Sequence, residues 1–166
     1  GNRMIVGAYG NDGAGGTAGH ARIYEWNGTN WNQLGADIDG EAAGDQSGWS
    51  VAMSGNGNRV IVGARFNDGN NSNSGHVRMY QWSGSAWVQM GADIDGESAL
   101  DQFGYAVSMN DAGDRIAVGA INNDGNNSNS GHVRIYSWNG TSWGQVGADI
   151  DGEAGGDQSG YAVSLN

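Results

Sequence analysis

Each third of the chain carries the run Asp-Ile-Asp-Gly-Glu with a further Asp four residues on. The acidic residues are Asp37, Asp39, Glu41 and Asp45, then Asp93, Asp95, Glu97 and Asp101, then Asp149, Asp151, Glu153 and Asp157. Four carboxylates within nine residues repel one another unless they are solvated, bonded to backbone amides or neutralised by a cation. Calcium is the cofactor that such a donor set suggests, because it takes six to eight oxygens from flexible loops. These twelve residues are therefore the candidate metal ligands, although their spacing is not the D-x-[DN]-x-[DN]-G of a defined calcium loop. A second, weaker candidate is the loop Asn67-Asp68-Gly69-Asn70-Asn71, repeated at Asn123–Asn127 and, shortened, at Asn11-Asp12-Gly13. There Asp and Asn also serve as turn caps.

Carboxylate pairs can hydrolyse glycosides, but a catalytic pair needs two differently tuned environments. Three near-identical loops supply none, and the chain has no nucleophile elbow, phosphate loop or dinucleotide fingerprint. The expectation is a protein that is not an enzyme. Paired tryptophans are the other candidates: Trp26 and Trp31, Trp82 and Trp87, Trp138 and Trp143 flank short turns. Such rings either stack sugars as ligand-binding platforms or clamp a hairpin as cross-strand pairs. His20, His76 and His132 recur at one spacing, each two residues before an Arg. On separate copies of a structural unit they should not share one metal shell, so hydrogen bonding between units is the expected role for His and Arg.

The elements that must position these groups follow from a repeat. Trp31, Trp87 and Trp143 each begin W-x-Q-x-G-A-D-I-D-G-E at a spacing of 56, without insertion or deletion. The units are residues 1–54, 55–110 and 111–166, and the last two share 37 of 56 positions. Apolar residues alternate with period 2, the signature of strands, and no helical periodicity runs for ten residues. In the second unit and its continuation the strands are expected at Asn58 to Ala64, Gly75 to Trp82, Trp87 to Ile94 and Gly104 to Met109, with Gly, Asn and Ser turns between them. Four strands per unit, joined by tight turns, is the pattern of a propeller blade.

Composition sets further bounds. The chain has 166 residues with 32 Gly, no Pro, no Cys and a formal charge of −11, and all seven basic residues are Arg. Without Cys there is no disulfide framework and no thiolate site. The acidity argues against nucleic acid as a partner, and no apolar run reaches the roughly 20 residues that span a bilayer as a helix.

The stretches Asp101-Gln102-Phe103-Gly104-Tyr105-Ala106-Val107-Ser108-Met109, Arg115-Ile116-Ala117-Val118-Gly119-Ala120 and Gly131-His132-Val133-Arg134-Ile135-Tyr136 resemble the FG-GAP repeat of integrin-α-type β-propellers. The resemblance covers essentially all of each unit. Gly-Ala-Pro is shortened to Gly7-Ala8, Gly63-Ala64 and Gly119-Ala120, and Phe-Gly survives literally only at Phe103-Gly104, with Ser47-Gly48 and Ser159-Gly160 in the other units. The resemblance implies an all-β propeller at the cell surface or outside the cell. The family's calcium hairpin, between the first and second strands, does not carry over, because Ser54–Asn58 and Asn110–Asp114 are too short and too poor in carboxylate.

In a blade of this kind the chain begins on a second strand and finishes on an inner strand, Gly160 to Leu165. Two complete blades, a three-stranded remnant and an orphan inner strand are expected. A ring of about four to eight blades would then be completed by another chain or by further repeats. The expected partner is the chain itself, as a dimer forming a six-bladed ring or as a longer array, with glycans or cell-surface proteins as further partners. Three functions are open to such a molecule: a scaffolding or adhesion module, a lectin using the Trp-flanked turns, and a symmetric propeller, engineered or excised, without a ligand.

Overall fold

A computed structural model of the chain, covering residues 1–166, is all-β. The first sheet holds β1 (Arg3–Ala8), β2 (His20–Trp26), β3 (Trp31–Gln33) and β4 (Ile38–Asp39). The second holds β5 (Ser47–Met53), β6 (Arg59–Ala64), β7 (His76–Trp82), β8 (Trp87–Gln89) and β9 (Ile94–Asp95). The third repeats that order in β10 (Phe103–Met109), β11 (Arg115–Ala120), β12 (His132–Trp138), β13 (Trp143–Gln145) and β14 (Ile150–Asp151). All pairings within the sheets are antiparallel and join sequence neighbours, except that β4, β9 and β14 pair β2, β7 and β12, as β3, β8 and β13 also do, so that in the second sheet both β8 and β9 pair β7. They are two pieces of one outer strand. Gly91 between them has φ +78, a left-handed conformation that breaks the ladder. The expected continuous strand from Trp87 to Ile94 is thus interrupted at its middle.

The sheets pack face to face as blades, and the cores lie between them. Along β6, Val60 and Val62 join Ala21, Ile23 and Ile38 of the first sheet, while Ile61 joins Phe103, Ile116 and Val118 of the third. Alternate residues of one strand therefore serve opposite neighbours, as period 2 requires. Where the second strand of one blade meets the innermost segment of the next, a glycine faces a glycine. A Cβ on Gly63 would collide with the carbonyl of Gly104, and a Cβ on Gly7 or Gly119 would meet that of Gly48 or Gly160. The Phe-Gly and Gly-Ala motifs are the two halves of this contact.

A bulge follows Ser47 in β5 and Phe103 in β10. It re-aims the next side chains into a stack that crosses the blades, with Tyr9 to Trp49 at 4.9 Å, Trp49 to Tyr105 at 5.6 Å and Tyr105 to Tyr161 at 5.1 Å between ring centroids. The Arg65 guanidinium lies 3.3 Å over the Trp49 ring, a cation–π contact.

The three sheets do not close into a ring. The first has no strand beyond β1, and residues 160–166 form no ladder. That last segment is nonetheless docked like its counterparts. Ser159 bridges Gly131 as Ser47 bridges Gly19 and Phe103 bridges Gly75, and the Leu165 amide donates to Ser108 Oγ at 2.9 Å.

Candidate functional site

The third strand of each blade carries His, Arg and Tyr on one face, and the broken outer strand brings the first Asp pair of the acidic loop beside them. His20 pairs with Asp39 across β2 and β4, and His76 with Asp95 across β7 and β9. The turn after this strand throws the Glu forward onto the next blade. Glu41 Oε1 accepts from Arg78 Nη1 at 3.3 Å, and Glu97 accepts from Arg134. Arg78 Nη2 also donates to the Asp39 carbonyl at 2.6 Å.

The four carboxylates of each loop therefore do not converge on one point but take separate partners. Asp37 receives a two-pronged contact from Arg22 at 2.8 and 3.0 Å and a Gln33 amide at 2.6 Å. Asp149 is held in the same way by Arg134 and Gln145. These guanidinium bonds hold both carboxyls below the usual range. Asp93 keeps only its glutamine, Gln89. Asp45 and Asp101 are buried; each caps its own turn, at the amides of Ala42 and Ser98, and accepts from Asn67 or Asn123 of the next blade. Burial raises the Asp101 carboxyl. Asp151 and Glu153 have no side-chain partner, and Asp157 only caps Ala154. In the Asn-rich loops Asp12, Asp68 and Asp124 close their own turns by accepting from Thr17, Asn73 and Asn129 amides.

The groups that do come together combine His with carboxylates: His20, Asp37 and Asp39; Glu41, His76 and Asp93; Glu97, His132 and Asp149. Their ligand atoms lie within 4.8 Å of one another, so each cluster could hold a metal. The latter two are built from two adjacent blades. The three histidines stay apart, as expected, but they do not form the hydrogen bonds expected of them. His132 is buried with both ring nitrogens unpartnered, its Nδ1 3.7 Å from Asp149. Burial and the neighbouring arginine lower the imidazoles of His76, to about 4, and of His132.

The tryptophan pairs sit in cross-strand register with centroids 5.5, 5.3 and 5.4 Å apart. Trp87 and Trp143 donate their indole N–H to Leu34 and Met90 carbonyls of the preceding blade, at 2.8 and 3.0 Å. A groove of about 450 Å³ lies beside the last pair, lined by Gln81, Gln89, Trp138 and Thr141 among others.

A family described as FG-GAP repeat matches residues 36–80 and 93–136, more than half of the chain. The chain belongs to the FG-GAP repeat family. Each matched segment runs from the acidic loop of one FG-GAP unit through the inner strand to the third strand of the next, and so spans one blade junction. Among curated proteins no sequence matches. Among solved structures, the FG-GAP array is similar to a "putative 6-phosphogluconolactonase" from Bacteroides uniformis ATCC 8492, with a TM-score of 0.55 and 12% identity over 89% of this chain. The array spans 41% of that chain's length. This likeness speaks for the fold alone: a β-propeller-like module. No helix of the array is long and apolar enough to cross a membrane.

Proposed function

We propose that this FG-GAP array is a non-catalytic β-propeller module for scaffolding and adhesion, at the cell surface or outside the cell. It completes its ring by joining its open blade faces to another copy or to further repeats. The observation that carries the proposal is a mismatch of burial between equivalent positions. Val62 in β6 is 1% exposed, but its counterpart Val6 in β1 is 43% exposed; Ile38 in β4 is 5% exposed, but Ile150 in β14 is 54% exposed. Each position is covered where another blade packs on that face and is bare at the end of the array where none does. Bare apolar faces beside an unpaired strand edge favour association.

The absence of catalysis is supported by repetition. Glu41, Asp45, Glu97 and Asp101 latch one blade to the next, and the acidic loops repeat nearly unchanged from unit to unit.

Light scattering on the purified chain tests the association. A discrete dimer is the expected result and supports a six-bladed ring, whereas large species support an open array. A stable monomer at high concentration would overturn joining between copies.

A second reading, a lectin, is favoured by the groove at Trp138, where an aromatic wall stands beside the Gln81 and Gln89 amides and the Thr141 hydroxyl. Glycan-array binding lost in Trp138→Ala would select it.

A further inference from the structure

The geometry points to a single site for a first-row divalent cation of the zinc class, formed at the junction of the first two blades by Glu41, His76, Asp93 and Asp95. His76 is 1% exposed and makes no side-chain hydrogen bond, and its Nδ1 faces three carboxylates. The distances are 4.0 Å to Glu41 Oε2, 3.9 Å to Asp93 Oδ2 and 4.0 Å to Asp95 Oδ1. A buried imidazole without a partner is costly. Three carboxylates turned toward one point add mutual repulsion.

The second oxygens of two of these carboxylates are already engaged, so their orientation is fixed from behind. Glu41 Oε1 takes Arg78, and Asp93 Oδ1 takes the Gln89 amide. Such outer contacts are what orient metal ligands. Zinc bonds of about 2.0–2.1 Å place neighbouring tetrahedral ligands about 3.4 Å apart. The imidazole nitrogen and the carboxylate oxygens that face it therefore need to close by roughly half an ångström, and Glu41 and Asp93, within 4.8 Å of each other, by more, the direction in which a cation would draw them.

Only this junction is open. In the first blade Arg22 Nη2 sits 2.8 Å from Asp37 Oδ2, the same oxygen that faces His20 Nδ1 at 3.5 Å. In the third, Arg134 Nη2 lies 2.6 Å from Asp149 Oδ2 and also reaches Glu97. In both places a guanidinium stands where a cation would go. Arg78 is instead drawn to the Asp39 carbonyl and to the far oxygen of Glu41, and it forms no bond to Asp93.

The ligand class follows from the donors. An imidazole nitrogen among carboxylates suits zinc, and manganese less strongly, whereas calcium selects oxygen alone. The site thus departs from the calcium that the acidic loops suggest in the sequence.

Calorimetry on the chelator-treated chain at pH 7, with zinc chloride and in parallel calcium chloride, tests the assignment. One zinc per chain is expected, with calcium at least about a hundredfold weaker. Cobalt in the same site should give a visible ligand-field band. His76→Gln should remove the band, and Asp93→Asn and Asp95→Asn, which are partly exposed and leave the core intact, should each weaken zinc at least about tenfold. Absence of zinc binding, equal binding of calcium, or zinc binding unchanged in both Asn variants would overturn the site. The readout is binding to the chain itself, so it stands or falls separately from the mass that tests self-association.

Discussion

Leu100 occupies a left-handed conformation, φ +70, where the equivalent positions are Gly44 at +94 and Gly156 at +82. A residue with a Cβ costs about 1–2 kcal/mol there, and the Leu100 side chain is 60% exposed, so little burial offsets it. Leu100→Gly should stabilise the chain by about 0.5–1 kcal/mol, after glycine's extra freedom in the unfolded chain is subtracted, and a urea titration reads it directly. His76 sets a pH dependence at the same scale. Its folded pKa of about 4 lies below the ordinary 6.5, from burial first and then the Arg78 charge, against the pull of Asp93 and Asp45. Between those values the unfolded chain binds more protons, so stability rises with pH across the window and is lost on acidification. His132 acts in the same sense. The lowered Asp37 and Asp149 carboxyls extend the loss to lower pH, and the raised Asp95 and Asp101 oppose it. The His76 part is about 3 kcal/mol at most. Melting temperatures measured in chelator should fall from pH 6.5 to pH 4, less steeply in His76→Gln.

At the scale of the element, the blade depends on pairs of glycines that no single strand explains. Gly104 needs its left-handed φ of +86, and Gly63 opposite it has no room for a methyl group against the Gly104 carbonyl. Gly63→Ala should therefore destabilise by about 3 kcal/mol through overpacking, whereas Gly28→Ala, where a Cβ meets nothing within 4 Å, should cost only the strain of its own φ of +98. Denaturant midpoints of the two variants separate these effects. The strands were legible because alternation and turn residues are local signals: Asn58 to Ala64 and Gly104 to Met109 in the sequence match β6 and β10 to within a residue. The break at Gly91 was not, because W-x-Q-x-G-A-D-I keeps apolar residues on both sides of it. The clustered His and carboxylates were hidden for a different reason. Glu41 and His76 belong to different blades, and only a blade junction of known geometry brings them to 4.0 Å. Reading each acidic loop by itself put four ligands together that the fold sends to separate partners.

For the whole molecule, the junctions are directional. The acidic loop of one blade reaches forward to the His, Arg and Asn of the next, as Glu41 does to Arg78 and Glu97 to Arg134. Asp45 and Asp101 do the same to Asn67 and Asn123. Glu153 and Asp157 offer these groups with nothing to receive them, while Arg22 and Asn11 receive nothing from a preceding loop. For the proposed joining of copies, the geometry of the two internal junctions predicts the contact: Glu153 of one copy should meet Arg22 of another, with Gly160 to Leu165 lying along the free edge of β1. Glu153→Lys replaces that attraction with repulsion at a partly exposed pair, so it should weaken association about tenfold, with the difference shrinking as salt is raised. Deleting residues 159–166 removes the inner strand itself and should abolish association at any salt. Sedimentation of the three proteins across a salt series distinguishes the contributions. If the deleted chain still associates, the contact is made by some other face and the blade junctions do not propagate between copies. If the charge variant associates as the unaltered chain does at high salt while the deleted chain does not, the backbone edge supplies the affinity and the acidic latch sets its register, the division of labour expected where polar pairs orient a contact that strand pairing holds.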